Sequence, residues 1–196
     1  GRALNEGLKC CKNEAVARMD SDDIACKDRC EKQLRVLEEG IDIVSGTVVE
    51  FEKDILHCKA KRTLPLSKEE ILKFAGRRNP FNHPCVMYRK EAVEKAGGYQ
   101  HFYLFEDYYL WARMLLLGVE ARNLPDTLLY MRAGTGMYKR RGGWKYVKSM
   151  LHFRLFLWKS GLSSFLDFVV CAGGQMMICL IPNRLRELFY KKFLRK

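Results

Sequence analysis

The sequence predicts an α/β layered domain with a mainly parallel sheet, followed by a basic segment of amphipathic helices. Three observations predict this. As far as Arg132, strand-like and helix-like patterns alternate, as they do when helices cover a sheet. Apolar residues make up 48% of the 196-residue chain and aromatic residues 12%, enough for a sizeable core and too many for wholesale disorder. The formal net charge of +12 lies almost wholly at the end of the chain, where thirteen Lys or Arg between Lys139 and Lys196 face only Asp167 and Glu187. A near-neutral domain with a basic end points to a polyanion: a membrane surface, a nucleic acid or a diphosphate substrate.

The elements follow in order. Leu4, Leu8 and Cys11 recur at helical spacing over Ala3–Cys11. Ala15–Met19 reads as a short buried strand that runs into Asp20-Ser21-Asp22-Asp23. Asp28–Glu39 is an amphipathic helix with Leu34 and Leu37 on its inner side, and Ile41–Phe51 is rich in Val and Ile and therefore β. Ser67-Lys68-Glu69-Glu70 has the Ser-x-x-Glu form of a capping box and starts a helix to about Phe74. The prolines at 80 and 84 keep Asn79–Pro84 irregular. Val86–Tyr88 is a short strand, Glu91–Ala96 a short helix closed by Gly97-Gly98, and Glu106–Leu117 an apolar helix ending at Gly118. Val119–Asn123 and Leu128–Arg132 are two further strands.

Beyond this point the character changes. Lys139-Arg140-Arg141 lies in a glycine-flanked loop, and Val147–Lys159 is a basic, aromatic helix. Leu162–Ile181 has one charge, Asp167, and is near bilayer-spanning length, which leaves open a span, an in-plane helix or a helix packed on the domain. Arg184–Lys196 is amphipathic and basic, a pattern that settles on anionic membranes. The eight cysteines lack the paired spacing of a zinc site or a disulfide framework and read as reduced, mostly buried thiols.

The acidic cluster carries the chemistry. Three carboxylates within four residues repel one another unless a cation or a solvated turn relieves them. At a strand end they occupy the place where open α/β sheets gather ligands, and hard oxygen ligands suit Mg²⁺ or Mn²⁺ shared with substrate phosphates. Taken alone, they fit equally well a solvated turn that caps the next helix.

Read together, Ala3-Leu4-Asn5-Glu6-Gly7-Leu8, Arg18-Met19-Asp20-Ser21-Asp22-Asp23 with Asp28-Arg29, Asn82-His83-Pro84, Lys95-Ala96-Gly97-Gly98-Tyr99 and Phe105-Glu106-Asp107-Tyr108-Tyr109-Leu110-Trp111 resemble the family-2 glycosyltransferases of bacterial capsule, exopolysaccharide and O-antigen assembly. The resemblance covers Gly1–Gly143 and keeps the motif order. It implies a GT-A-like, Rossmann-like mixed sheet flanked by helices in residues 1–143, with residues 144–196 as a membrane-associating tail. It further implies that Asp20, Asp22 and Asp23 hold a divalent cation, Mn²⁺ or Mg²⁺, that bridges the diphosphate of a nucleotide-sugar donor. Asp107, beside Glu106, would be the general base in an inverting transfer to a saccharide acceptor. From the residues themselves, His83 in its rigid loop would line the donor or the acceptor site, and Lys139, Arg140 and Arg141 would close over the donor diphosphate or equally contact lipid headgroups. An upstream strand and helix that read the nucleotide base in the family are not among these residues.

One departure is Lys27, which stands where the family usually has Pro before Asp-Arg. Arg29 and Arg113 read as helix-face ion-pair residues, and Tyr108, Tyr109 and Trp111 as core. The competing classes are a two-metal nucleic-acid enzyme and a non-catalytic membrane-binding protein. Basic residues flanking a long apolar stretch favour lipid over nucleic acid. The expected setting is the cytoplasmic face of the membrane, with a lipid-linked saccharide as acceptor and no nucleic-acid partner.

Overall fold

The computed structural model describes residues 1–52, 54–56, 58–133 and 143–180. In chain order the elements are α1 (Arg2–Cys10), β1 (Ala15–Ala17), β2 (Ile24–Ala25), α2 (Arg29–Glu38), β3 (Ile43–Phe51), β4 (Cys58–Arg62), α3 (Lys68–Ala75), a 3₁₀ turn (His83–Cys85), β5 (Met87–Arg89), α4 (Lys90–Lys95), α5 (Glu106–Leu116), β6 (Ala121–Arg132), α6 (Trp144–Lys159) and α7 (Phe165–Leu180). The expected amphipathic segment Arg184–Lys196 lies outside the described residues.

Helices flank one mixed six-stranded sheet of order β1-β5-β3-β6-β2, with β4 also paired to β3. The expectation of a mainly parallel sheet is corrected. Only β3 and β6 run parallel, whereas β1–β5, β3–β5, β3–β4 and β2–β6 are antiparallel. The strand–helix alternation reports the two layers but not the direction in which a short strand re-enters the sheet. Central β3 is buried along nearly its whole length, which explains its Val- and Ile-rich run.

The two strands expected after α5 are one strand, β6. Gly46 pairs with Leu124 and Thr47 with Thr127, so Pro125 and Asp126 bulge out between them. Proline cannot donate to a ladder, and a bulge accommodates it. The close approach of β6 also requires Gly46, since a Cβ there would lie 2.5 Å from a Leu128 methyl. Two strands had no clear sequence signal. β2 is only two residues long and is defined by its partner, and β4 (Cys-Lys-Ala-Lys-Arg) has the lysine-rich composition of an edge.

The capping box forms as expected, with Ser67 accepting from Glu70 N–H and the Glu70 carboxylate accepting from Ser67 N–H. On α2, Val36 and Leu37 face inward with Gln33, while Leu34 is exposed. Leu34 sits a third of a turn too far round to reach the sheet. All eight cysteines are free thiols, but only Cys85 and Cys179 are buried. Cys10, Cys30 and Cys58 are exposed on the outer faces of α1, α2 and β4.

Trp111 on α5 is fully buried at the centre of the main core, with Phe81, His83, Tyr88 and Tyr99 within 6.2 Å between ring centroids. A second cluster joins the start of α5 to α6 through Phe105, Tyr108, Tyr146 and Phe153, and Ala172 and Cys179 bring α7 into it. Among the described residues no helix is long and apolar enough to cross a membrane.

Candidate functional site

The site is built from strand ends and one helix N-terminus. β1 delivers Arg18 and the acidic cluster. Its end is fixed from beneath by Arg29, whose guanidinium donates to the carbonyls of Arg18 (2.8 Å) and Val86 (3.3 Å) and to Gln33 Oε1 (2.9 Å). Gln33 passes the constraint on to the carbonyls of Val44 and Cys85. Arg29 is thus a buried backbone anchor rather than a helix-face ion-pair residue. Arg113 is corrected in the same way. It donates to the carbonyls of Ala96 and Gly98 and lies over the Tyr109 ring, tying α5 to the Gly97-Gly98 turn.

Within the cluster the three carboxylates differ. Arg18 grips Asp20 through both oxygens, at 2.5 and 3.1 Å. Asp23 is buried. Its Oδ1 accepts the Arg132 backbone N–H at 2.8 Å and its Oδ2 has no hydrogen-bond partner. Burial pushes the Asp23 carboxyl above its ordinary range, and the Asp20 and Asp22 charges add to the shift. Asp22 is exposed, and its carbonyl accepts from Arg132 Nε at 3.2 Å. The end of β6 therefore holds the turn that presents the cluster.

Across from it, Asn82 fixes its loop by donating to the carbonyls of Gly46 (2.9 Å) and Arg62 (3.3 Å). The next residue, His83, meets the Tyr99 hydroxyl at 3.1 Å through Nε2. Gly97 and Gly98, both at positive φ, turn the chain so that Tyr99 reaches it. Asn5 completes the turn by donating to the Tyr99 carbonyl and accepting its N–H, both at 2.8 Å. Burial against these rings lowers the His83 pKa to about 4, and the charges of Asp107, Arg18 and Asp20 also act on the imidazole. His83 therefore stands among the groups brought by β1 and α5.

Glu106 and Asp107 form the first turn of α5, where unpaired N–H groups and the helix dipole favour carboxylates. Asp107 Oδ2 accepts from Asn79 Nδ2 at 2.9 Å, and both Glu106 and Asp107 are partly exposed. Hydrogen bonds thus join segments far apart in sequence: Asn5 with Tyr99, Tyr99 with His83, and Asn79 with Asp107. Arg140 and Arg141 lie outside the described residues.

Arg18, Asn79, Tyr99 and Arg132 were not singled out from sequence as site residues. Arg18 had a signal, because side chains two apart on an extended chain project to the same side. Asn79 had none, since its partner is 28 residues away.

Among the described residues, no three His, Cys, Asp or Glu converge closely enough to hold a metal ion unaided. The carboxylates nevertheless fit a hard cation that takes its remaining ligands from substrate phosphates. Asp22 is open to solvent, and Asp23 Oδ2 is a buried oxygen lacking the donor such an atom normally has.

Known proteins resemble this chain along nearly its whole length. The family model described as "Glycosyl transferase family 2" matches residues 1–97. The chain is 41% identical, over 98% of its length and 72% of the relative's, to the amylovoran biosynthesis glycosyltransferase AmsE of Erwinia amylovora. It is 36% identical, over its whole length and 72% of the relative's, to an Escherichia coli protein named UDP-Gal:alpha-D-GlcNAc-diphosphoundecaprenol beta-1,3-galactosyltransferase. Among solved structures, a Pyrobaculum calidifontis mannosyltransferase in complex with GDP-Man and Mn²⁺ superposes with a TM-score of 0.57 at 15% identity. That match covers 94% of this chain but only half of the mannosyltransferase chain, and at such low identity it speaks to the fold alone.

Proposed function

The chain belongs to glycosyl transferase family 2 and is a glycosyltransferase of the GT-A fold, and from this premise we propose an inverting, metal-dependent transfer of a sugar from a nucleotide-diphosphate donor to a lipid-linked saccharide in surface-polysaccharide assembly. The reading is supported by two carboxylates held in place on separate elements, Asp20 by Arg18 beyond β1 and Asp107 by Asn79 in the first turn of α5.

Asp20, Asp22 and Asp23 would hold Mn²⁺ or Mg²⁺ together with the donor diphosphate. A divalent cation so bound offsets the charge that grows on the departing nucleoside diphosphate. Arg18 keeps Asp20 in one orientation. The acidic cluster is thus the leaving-group side of the site.

Asp107 is the base. It takes the proton from the acceptor hydroxyl while that oxygen attacks the anomeric carbon from the face opposite the diphosphate, and the configuration inverts. Asn79 holds one carboxylate oxygen and leaves the other for the acceptor. His83, with a pKa near 4, is neutral at physiological pH. A neutral imidazole does not form an ion pair with Asp107 and so leaves its basicity intact, while its ring lines the donor pocket.

The name of the Escherichia coli relative specifies a sugar–diphospholipid acceptor, and an acceptor of this class supports placing the protein peripherally at the cytoplasmic membrane face. The exposed Trp144, Phe165, Leu166 and Val170 on α6 and α7 fit that placement. The testing experiment is a thermal-shift screen of sugar nucleotides with and without Mn²⁺, followed by transfer to a diphosphate-linked sugar. A Mn²⁺-dependent stabilisation by one nucleotide is expected, because a ligand that binds only the native state raises its apparent stability. No shift and no transfer with any donor would leave only a membrane-binding role.

A further inference from the structure

We infer that a basic cleft beside α5 seats the diphosphate of the lipid-linked acceptor, an inference that rests on the transfer reading above. The cleft has a volume of about 270 Å³. His101, Phe102 and Tyr103 form one wall, and Lys145, Lys148 and His152 of α6 form the other. No carboxylate lines it among the described residues. Ammonium groups and imidazoles around an open, acid-free cleft are the donors that phosphate oxygens require.

The cleft is built into the fold rather than scattered over it. Ser149 donates to the Tyr103 carbonyl at 2.8 Å, and Lys145 Nζ sits 4.3 Å over the Tyr103 ring. Phe102 anchors the wall from behind by packing against Tyr109 and Phe153, with centroids at 4.9 and 5.5 Å. On α6, Lys145, Lys148, His152 and Lys159 fall at spacings of three, four and seven, which places them on one exposed stripe.

Its position relative to the base decides the ligand. The wall and the base belong to one continuous turn, in which Phe105 N–H donates to the Phe102 carbonyl at 2.8 Å and α5 begins at the next residue, Glu106. Leu104 within this turn has φ +61°, the one non-glycine residue at positive φ among the described residues. Such a conformation persists where the surrounding packing enforces it, and it occurs preferentially at working sites. The donor diphosphate belongs to the acidic cluster, where a cation is needed to neutralise it. A second diphosphate held by lysines against a wall that runs on into the turn starting α5 would be the acceptor's, joined to the sugar whose hydroxyl Asp107 deprotonates. The lipid chain would continue towards Trp144, 78% exposed at the start of α6 and of the kind of residue that settles at membrane interfaces.

The test measures binding without any donor sugar. Undecyl diphosphate, undecanol, UDP with Mn²⁺, and phosphatidylglycerol-containing vesicles are titrated against the full-length protein and its Lys145→Gln/Lys148→Gln variant. Both lysines are exposed, so the variant keeps the fold, and circular dichroism verifies this. Undecyl diphosphate affinity should fall about tenfold per lysine removed, about a hundredfold in the double variant, with UDP binding unchanged and vesicle binding reduced by no more than about thirtyfold, the most that two surface charges at about 1 kcal/mol each would cost. Lys159→Gln, on the same stripe but outside the cleft, should leave undecyl diphosphate binding unchanged. Unaltered undecyl diphosphate affinity in the double variant would overturn the inference. So would an equal loss of UDP binding, which would assign the cleft to the donor, or an equal loss of vesicle binding, which would make it a headgroup contact. Lysine-dependent diphosphate binding in a protein that transfers no sugar would contradict the transfer reading and leave the cleft assignment standing.

Discussion

Asn79 donates its side-chain N–H to Asp107 Oδ2 at 2.9 Å, and this bond orients the carboxylate proposed as the base. Asn79→Leu should lower kcat about tenfold, because a poorly oriented base loses part of the 10²–10⁴-fold that general base catalysis contributes. The KM for the donor should not change, since the Asn79 side chain is engaged by Asp107 and the Phe81 N–H and makes no hydrogen bond to the acidic cluster among the described residues. Steady-state kinetics separates the two, and a KM effect without a kcat effect would remove Asn79 from this role.

Arg29 is 2% exposed and its donors satisfy Arg18, Val86 and Gln33. Arg29→Ala removes the guanidinium from the Arg18 carbonyl and Gln33 Oε1, while the Val86 carbonyl keeps the Arg18 N–H at 2.9 Å, and roughly 3 kcal/mol of stability should be lost in urea unfolding. A loss below about 1 kcal/mol, the worth of one ordinary hydrogen bond, would show that water replaces the guanidinium.

Asp22 is exposed and makes no hydrogen bond or ion pair through its carboxylate among the described residues. Asp22→Ala should therefore leave unfolding stability within about 0.5 kcal/mol, as surface substitutions do. The Mn²⁺-dependent part of donor binding should disappear in the same variant. Retained Mn²⁺ dependence in calorimetric titrations would place the cation elsewhere.

His83 gives the fold a pH dependence of definite sign. Its folded pKa, near 4, lies below the unfolded value of about 6.5. The unfolded chain therefore takes up the proton first, and stability present above pH 6.5 is lost as the pH falls towards 4. Asp23, whose pKa burial raises, acts in the opposite direction, because its native form holds a proton that the unfolded form has released. The difference between wild type and His83→Gln isolates the histidine. The urea midpoint of the variant should fall less steeply between pH 6.5 and pH 4, and parallel profiles would contradict the buried neutral imidazole.

Much of this architecture was legible in local chemistry. Ser67 and Glu70 announced the start of α3, and Glu106-Asp107 fixed the start of α5 because carboxylates belong at a helix N-terminus. The motif order pointed to the family, which the relatives bear out. What stayed hidden depends on partners distant in sequence. The roles of Arg29 and Arg113 are set by carbonyls on other elements, so helical periodicity alone placed them on a charged surface. The direction of β5 in the sheet follows from its pairing with Ile43 and Val44 and not from the pattern Met-Tyr-Arg. Pro125 looked like a strand end because a bulge that keeps the ladder intact leaves the same local signature as a turn.

The most direct test of the central assignment is Asp107→Asn in the full-length protein, assayed for both donor binding and sugar transfer. Transfer should fall by about 10³-fold or more, within the range that general base catalysis contributes, while Mn²⁺-dependent donor affinity stays within about threefold. A variant that transfers at near wild-type rate, or that loses donor binding in step with transfer, would contradict Asp107 as the base and the division of the site into a leaving-group side at Asp20–Asp23 and an acceptor side at α5.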